Sequence, residues 1–192
     1  MIKYTPRLNR ALITATEAHH KIKQVRKGTE IPYIIHPVGV AMIASEVTDD
    51  EDILIACLFH DILEDVTTVD SSIYNEDMMR EEFGDEVTGI VLDVTKNEEE
   101  PDWHKRSQQY LDHLEHEASD KAVIVSGADK AHNLLSVVED YKIMGDEVWQ
   151  KFSTKSKADQ VWWYESIRDI LQKRSAPKEL VQKLDNMLGL FK

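Results

Sequence analysis

A single cysteine, Cys57, excludes an intrachain disulfide. Its place in an apolar run marks it as a small buried hydrophobe. Seven glycines and five prolines in 192 residues are about half the usual ~12% share, so neither collagen-like nor low-complexity structure is present. At 42% hydrophobic, the chain is also too apolar to be disordered as a whole. No run approaches the roughly 18 apolar residues that span a bilayer, and the first residues lack the apolar stretch of a secretory signal. Basic residues are in the minority, 23 against 36 acidic, for a formal charge of −13. That leaves no surplus to neutralise a nucleic-acid backbone. The expectation is a cytoplasmic protein that binds neither nucleic acid nor membrane. A small phosphorylated ligand is admitted where positive charge gathers locally.

What is present reads as helix. Residues 1–192 show no repeat and no linker, which predicts one domain, and nothing reads as a strand. The fold class expected is all-α, a single-domain helical bundle. Leu8, Ala11, Leu12, Ala15, Ala18, Ile22 and Val25 share one helical face, and Arg26-Lys27-Gly28-Thr29 supplies the stop. Pro37 suits the first turn of a second helix, which puts His36 at its entrance. Acidic residues from Asp49 to Asp52 open a third helix. From Ile53 to Phe59 it is apolar on every side, the mark of a buried helix. It ends in His60-Asp61-Ile62-Leu63-Glu64-Asp65, and Val66-Thr67-Thr68-Val69 breaks the pattern. Short helices are expected at 78–83 and 85–94, divided by Gly84. The run Glu98-Glu99-Glu100 belongs to a solvated loop. Further helices are expected over 103–117, 118–142 and within 146–174, with a last amphipathic segment after Pro177.

The anomaly is polarity where the pattern predicts core. His60, Asp61, Glu64 and Asp65 follow seven apolar residues. Ions leave water only when paired or metal-bound. Residues four apart share a helical face, so His60 is expected near Glu64 and Asp61 near Asp65. His36 has apolar neighbours on both sides. Asp129 interrupts the second apolar helix, and Asn133 and Ser136 continue its stripe. His36, His60, Asp61 and Asp129 would supply two imidazoles and two carboxylates. That set suits Mn²⁺, Fe²⁺ or Zn²⁺ better than Mg²⁺ or Ca²⁺.

The order His36, His60-Asp61, Asp129 resembles the HD-domain metal-dependent phosphohydrolases. The strings Arg26-Lys27…Pro32-Tyr33-Ile34-Ile35-His36-Pro37, His60-Asp61-Ile62-Leu63-Glu64-Asp65 and Ala128-Asp129-Lys130-Ala131-His132-Asn133-Leu134 resemble the hydrolase domains of RelA/SpoT enzymes and the stand-alone small alarmone hydrolases. The likeness covers roughly residues 8 to 165. It implies a Mn²⁺-dependent enzyme that removes the 3′-pyrophosphate from (p)ppGpp. His36, His60, Asp61 and Asp129 would hold the metal, and Glu64 and Asp65 would orient and deprotonate the attacking water. Arg26, Lys27, Asn133 and Ser136 would contact the nucleotide. Two departures stand out. The loop Arg26–Tyr33 is one residue longer than usual, and the stretch after Thr95 is acidic where these hydrolases carry basic residues. Lys105 and Arg106 are candidates to replace them. No synthetase-like segment follows, so degradation alone is expected.

Each residue taken singly has a plainer reading. His60-Asp61 fits a helix-end ion pair, Asp129 a satisfied buried carboxylate, and Arg26-Lys27 a solvated helix end. Asn133 and Ser136 fit side chains bonded to their own helix. Trp162-Trp163-Tyr164 reads as core or a subunit contact in a homo-oligomer. His19, His20, His104, His113, His116 and His132 read as surface or packing residues. Two other functions compete: an HD-domain nucleotidase or nucleoside triphosphate hydrolase of different specificity, and a non-catalytic alarmone-binding module.

Overall fold

A 25-residue helix, α7 (Asp120–Met144), is the axis around which the other helices pack. The computed structural model describes residues 3–97 and 99–191. Met1, Ile2, Lys192 and Glu98, the first of the acidic loop run, lie outside the described residues. Against α7 lie α2 (Ile35–Ala44), α3 (Glu51–Phe59), α5 (Glu76–Val94), α8 (Lys157–Lys173) and α9 (Lys178–Leu188). Helix α1 (Pro6–Lys21) packs on α3, and α6 (Trp103–His116) on α8. Among the described residues the only β pairing is one antiparallel bridge, Val25 to Pro32. The all-α expectation holds.

Helix α3 is buried along Ile53–Phe59, as an apolar surface on all sides requires. Its N-terminus is capped by Asp50, whose side chain accepts from Asp52 N–H at 2.9 Å. Phe59 is fully buried and meets Phe83 edge-on, with ring centroids 4.8 Å apart. At Gly127 on α7, an added Cβ would lie 3.0 Å from Leu171 of α8 and 3.3 Å from Leu180 of α9.

Three boundaries differ from the sequence expectation. Helix α1 ends at Lys21, four residues before Val25. Lys23 adopts a left-handed conformation (φ 54°). Lys23 N–H then donates to His20 O and Gln24 N–H to His19 O. This is a Schellman stop built without glycine, so Gly28 serves a turn inside the following loop instead. Second, Ile62–Val66 forms a π-helical turn, and Thr67–Val69 continues as one helical turn, α4, where a break was expected. Third, residues 145–151 are a 3₁₀ helix preceding α8. The division at Gly84 holds: α5 is kinked at this residue, which takes φ 90°.

Because Gly84 sits where an L side chain is strained, Gly84→Ala is expected to destabilise the protein by roughly 1 kcal/mol or more. Urea unfolding would measure it, and no loss of stability would refute the strain.

Candidate metal and hydrolytic site

Three helices, α2, α3 and α7, deliver the site from buried positions. His36 stands in the first turn of α2 and is 1% exposed. His60 caps the C-terminal end of α3, where its Nδ1–H donates to Cys57 O at 2.8 Å. A carbonyl can only accept, so this bond points the other ring nitrogen, Nε2, into the site. Asp129 projects from the middle of α7.

These groups converge. One ligand atom each of His36, His60 and Asp129 all lie within 4.8 Å of one another. His36 Nε2 is 3.1 Å from His60 Nε2 and 3.2 Å from Asp129 Oδ1. Asp61 joins from one side, its Oδ2 3.0 Å from His60 Nε2 and 3.4 Å from His36 Nε2. All four sequence candidates for metal ligation therefore meet. Their chemistry fits a cation: two imidazole nitrogens and two carboxylate oxygens are acceptors facing one point. Burial works against ionising Asp61 and Asp129, yet both are held well below the usual carboxylate range. His60 and His36 do this for Asp61, and Lys130 with both histidines for Asp129. Burial likewise opposes a charge on His60, but Asp61 and Asp129 outweigh it and raise its pKa. The cluster calls for positive charge at its centre.

The acid pair sits on the π turn. Helical spacing predicts Glu64 with His60 and Asp65 with Asp61, but α3 stops at Phe59 and the chain rewinds with an extra residue per turn. Thr67 N–H bonds to Ile62 O, five residues back. The two acids have different partners. Glu64 Oε1 accepts from Lys96 N–H at 2.6 Å, across the end of α5. Asp65 Oδ2 accepts from Gln24 Nε2 at 2.7 Å, on the opposite side. Burial raises both pKa values, and Asp61 adds to the effect.

A cleft of about 820 Å³ opens beside this cluster. Arg26, Asn133, Ser136 and Lys27 all line it, as does Asp65. Asn133 Nδ2 donates to Asp129 Oδ1 at 2.6 Å, and Arg26 donates to Asn133 Oδ1 at 3.3 Å. The candidate contact residues are thus wired to the candidate ligand. Ser136 bonds back to His132 O at 3.2 Å on its own helix. Lys27 is exposed at the rim. A smaller adjoining pocket of about 180 Å³ is lined by Lys27, Lys96 and Arg106 with Trp103 and Trp163. Of the two proposed basic replacements, Arg106 reaches this pocket and Lys105 is exposed outside its lining.

Several participants went unread in the sequence. Tyr33 O–H donates to Asp61 Oδ2 at 2.5 Å. Lys130 is buried and paired with Asp129, and its ammonium lies 5.2 Å from the Tyr110 ring and 5.8 Å from Trp163. His132, read as packing, contacts His36 directly: the two Nδ1 atoms are 2.9 Å apart. Its spacing three residues after Asp129 was the available signal. Burial, with His36 and Arg26 nearby, lowers His132 to a pKa of about 4. His19 is buried and bonds Gln24 Oε1 through Nδ1 at 2.6 Å. No local pattern announces Gln24; the Schellman turn puts it there. Trp163 and Tyr164 are core residues that also wall the cleft.

Comparison with known proteins identifies the class. A family model described as "HD domain" matches residues 11–156. The chain belongs to the HD-domain family. It is 32% identical over 171 residues to a Xenopus tropicalis protein named guanosine-3′,5′-bis(diphosphate) 3′-pyrophosphohydrolase MESH1, covering 88% of this chain and 86% of that one. It is 40% identical over 94 residues to the Aquifex aeolicus guanosine-3′,5′-bis(diphosphate) 3′-pyrophosphohydrolase, where the match spans only 12% of that protein. The fold matches a solved metazoan ortholog of SpoT with a TM-score of 0.79 at 24% identity, over 99% of this chain and 98% of the other.

Gln24→Leu removes the donor to Asp65 and is expected to cost about 1–3 kcal/mol at neutral pH. The folded-state pKa of Asp65 already lies above its ordinary value and rises further in the variant. Stability is lost as pH rises through that raised value, so the penalty shrinks as pH falls toward the ordinary range. Urea unfolding at pH 4 and pH 7 checks both the size and the trend.

Proposed function

We propose that this chain is a metal-dependent hydrolase that removes the 3′-pyrophosphate from guanosine-3′,5′-bis(diphosphate), with residues 1–192 as one catalytic domain. The observation that carries the reading is the convergence of His36, His60, Asp61 and Asp129 on one buried point beside Glu64 and Asp65, at the edge of a cleft rimmed by cations. The names of three relatives agree with it, the match spanning 86% of one and 61% and 63% of the other two.

In this reading His36, His60, Asp61 and Asp129 hold the metal, and Mn²⁺ suits their mixed nitrogen and oxygen donors. A divalent ion held there supplies Lewis acidity, which acidifies water and offsets phosphoryl charge. The chain's own groups do the rest. Glu64, half-buried and with one oxygen fixed by Lys96 N–H, accepts the proton of the attacking water. Asp65, fixed by Gln24, orients that water. The water oxygen bonds to the proximal phosphorus of the 3′-diphosphate. The bond from phosphorus to the 3′-oxygen breaks, and that oxygen leaves with the proton that Glu64 took from the water. Arg26 and Asn133 face the nucleoside, and the apolar wall of Tyr33, Trp163 and Tyr164 suits a base. Lys27, Lys96 and Arg106 gather around the adjoining pocket and suit phosphate. A location in the cytoplasm belongs to the same reading, because the substrate is a nucleotide. Among the described residues no helix is long and apolar enough to cross a membrane.

The direct test is pyrophosphate release from ppGpp by the full chain with and without Mn²⁺. Turnover that needs the metal and prefers a 3′-diphosphate over 5′-nucleotides supports the reading. Preference for a 5′-phosphate assigns another HD hydrolase, and tight binding without turnover assigns a binding module. Glu64→Gln is expected to lower kcat by about 10²–10⁴-fold with an unchanged melting temperature. The base must be ionised to act, and burial raises Glu64, so activity is lost on the acid side at a pH above the ordinary carboxylate value. A kcat–pH profile checks this. Mn²⁺ at a hundred times its Kd should stabilise the fold by about 2.7 kcal/mol, and thermal melts of Asp129→Ala should show no such gain.

A further inference from the structure

We infer that His132 is a positioning residue that fixes the tautomer and orientation of His36, and that Gly39 exists to seat it. The inference rests on the metal-holding role proposed above for His36.

The two candidate imidazole ligands are secured differently. For His60 the partner of Nδ1 is the Cys57 carbonyl, which leaves one tautomer open to it. For His36 the partner is a second imidazole, His132, with Nδ1 facing Nδ1 at 2.9 Å. One of the two must carry the proton. When His36 Nδ1–H donates to His132, His36 Nε2 presents a bare lone pair to His60, Asp61 and Asp129. When His132 donates instead, the His36 proton moves to Nε2 and occupies the point where the four groups converge. Only the first arrangement leaves His36 competent to bind a cation. Histidine ligands ordinarily gain this orientation from a carboxylate, carbonyl or water; here α7 supplies it with a ring.

The packing supports the assignment. The His36 and His132 rings lie 4.9 Å apart, tilted by 59°. On the other edge of His132, a Cβ built at Gly39 would overlap Cδ2 and Nε2. No real Cβ fits there. Gly39 lies in α2 and is not among the glycines with positive φ, so its lack of a side chain serves this contact and not a turn. One turn of α2 thus both carries His36 and makes room for the ring that orients it.

The test is Mn²⁺ binding by isothermal titration calorimetry on the full chain. His132→Phe keeps a flat ring and removes the acceptor; it is expected to weaken Mn²⁺ binding by roughly 10–100-fold. His132→Asn offers Oδ1 where Nδ1 stood and should restore most of the affinity. Gly39→Ala displaces the ring while every polar group remains, and should weaken binding as His132→Phe does. With Mn²⁺ saturating, all three should keep the wild-type KM for ppGpp. Wild-type affinity in His132→Phe overturns the inference. So does equal loss in the Phe and Asn variants, which would make the ring a packing element, or a raised KM at unchanged affinity, which would make His132 a substrate contact. If His132→Phe does not fold by circular dichroism, Gly39→Ala decides: wild-type Mn²⁺ affinity there overturns the inference. Wild type that binds no Mn²⁺ overturns the proposed function itself, an outcome distinct from the others.

Discussion

Two imidazoles and two carboxylates, largely buried with their nitrogen and oxygen atoms 3.0–3.6 Å apart, impose the constraint on which this structure turns. Such a cluster is costly unless positive charge stands within it. In the chain itself Lys130, paired with Asp129, supplies part of that charge, and Asp61 and Asp129 raise the pKa of His60. Each supporting group answers the same demand. Tyr33 and Asn133 donate to the carboxylates, Cys57 O orients His60, and Lys130 is held between Asp129 and two aromatic faces. Burial works against the Lys130 ammonium, yet Asp129 and Tyr110 keep its pKa above the ordinary value.

The same constraint explains why regular helix ends at Phe59. An α-helix continued through residue 65 would stack Glu64 under His60 and bring Asp65 under Asp61 on one face. Four ionisable groups would then share one wall. On the π turn Glu64 meets Lys96 and Asp65 meets Gln24. Each acid gains its own donor. Both stay close enough to the cluster to feel Asp61, which helps to raise their pKa values. Departures of this kind from helical geometry are common where chemistry is done.

Much of this was legible in the residues. Apolar periodicity located most of the helices, and the all-apolar run of α3 identified the one that is buried throughout. Polar residues in apolar surroundings marked His36, His60, Asp61 and Asp129, and they do converge. What stayed hidden was what depends on backbone detail or distant pairing. Lys23 takes a left-handed conformation that glycine usually supplies, so the end of α1 and the arrival of Gln24 at Asp65 had no local signature. His132 shared a face with Asp129 in plain view, but its partner lies 96 residues away. Gly39 carries no mark in the sequence; its meaning is visible only against the ring it accommodates.

The distribution of charge resolves an apparent conflict between a net charge of −13 and a polyanionic ligand. Distant surface carboxylates are screened within about 10 Å at moderate salt, so the field inside the cleft is set by what lines it. There, Arg26, Lys27 and Lys151 face the larger cavity together with Asp65, Glu139 and Asp140, the last paired with Lys151 at 2.7 Å, whereas Lys27, Lys96 and Arg106 face the smaller one, which has no acidic residue among its described lining. Lys96 also lies 5.6 Å from the Tyr110 and Trp163 rings, the two rings that Lys130 also approaches. Two ammonium groups around one aromatic pair need nearby carboxylates, and Glu64 and Asp129 provide them. The aromatic wall therefore helps to hold positive charge between the acid pair and the smaller pocket. An acidic protein can in this way keep a local cationic path to a site that is itself built from carboxylates.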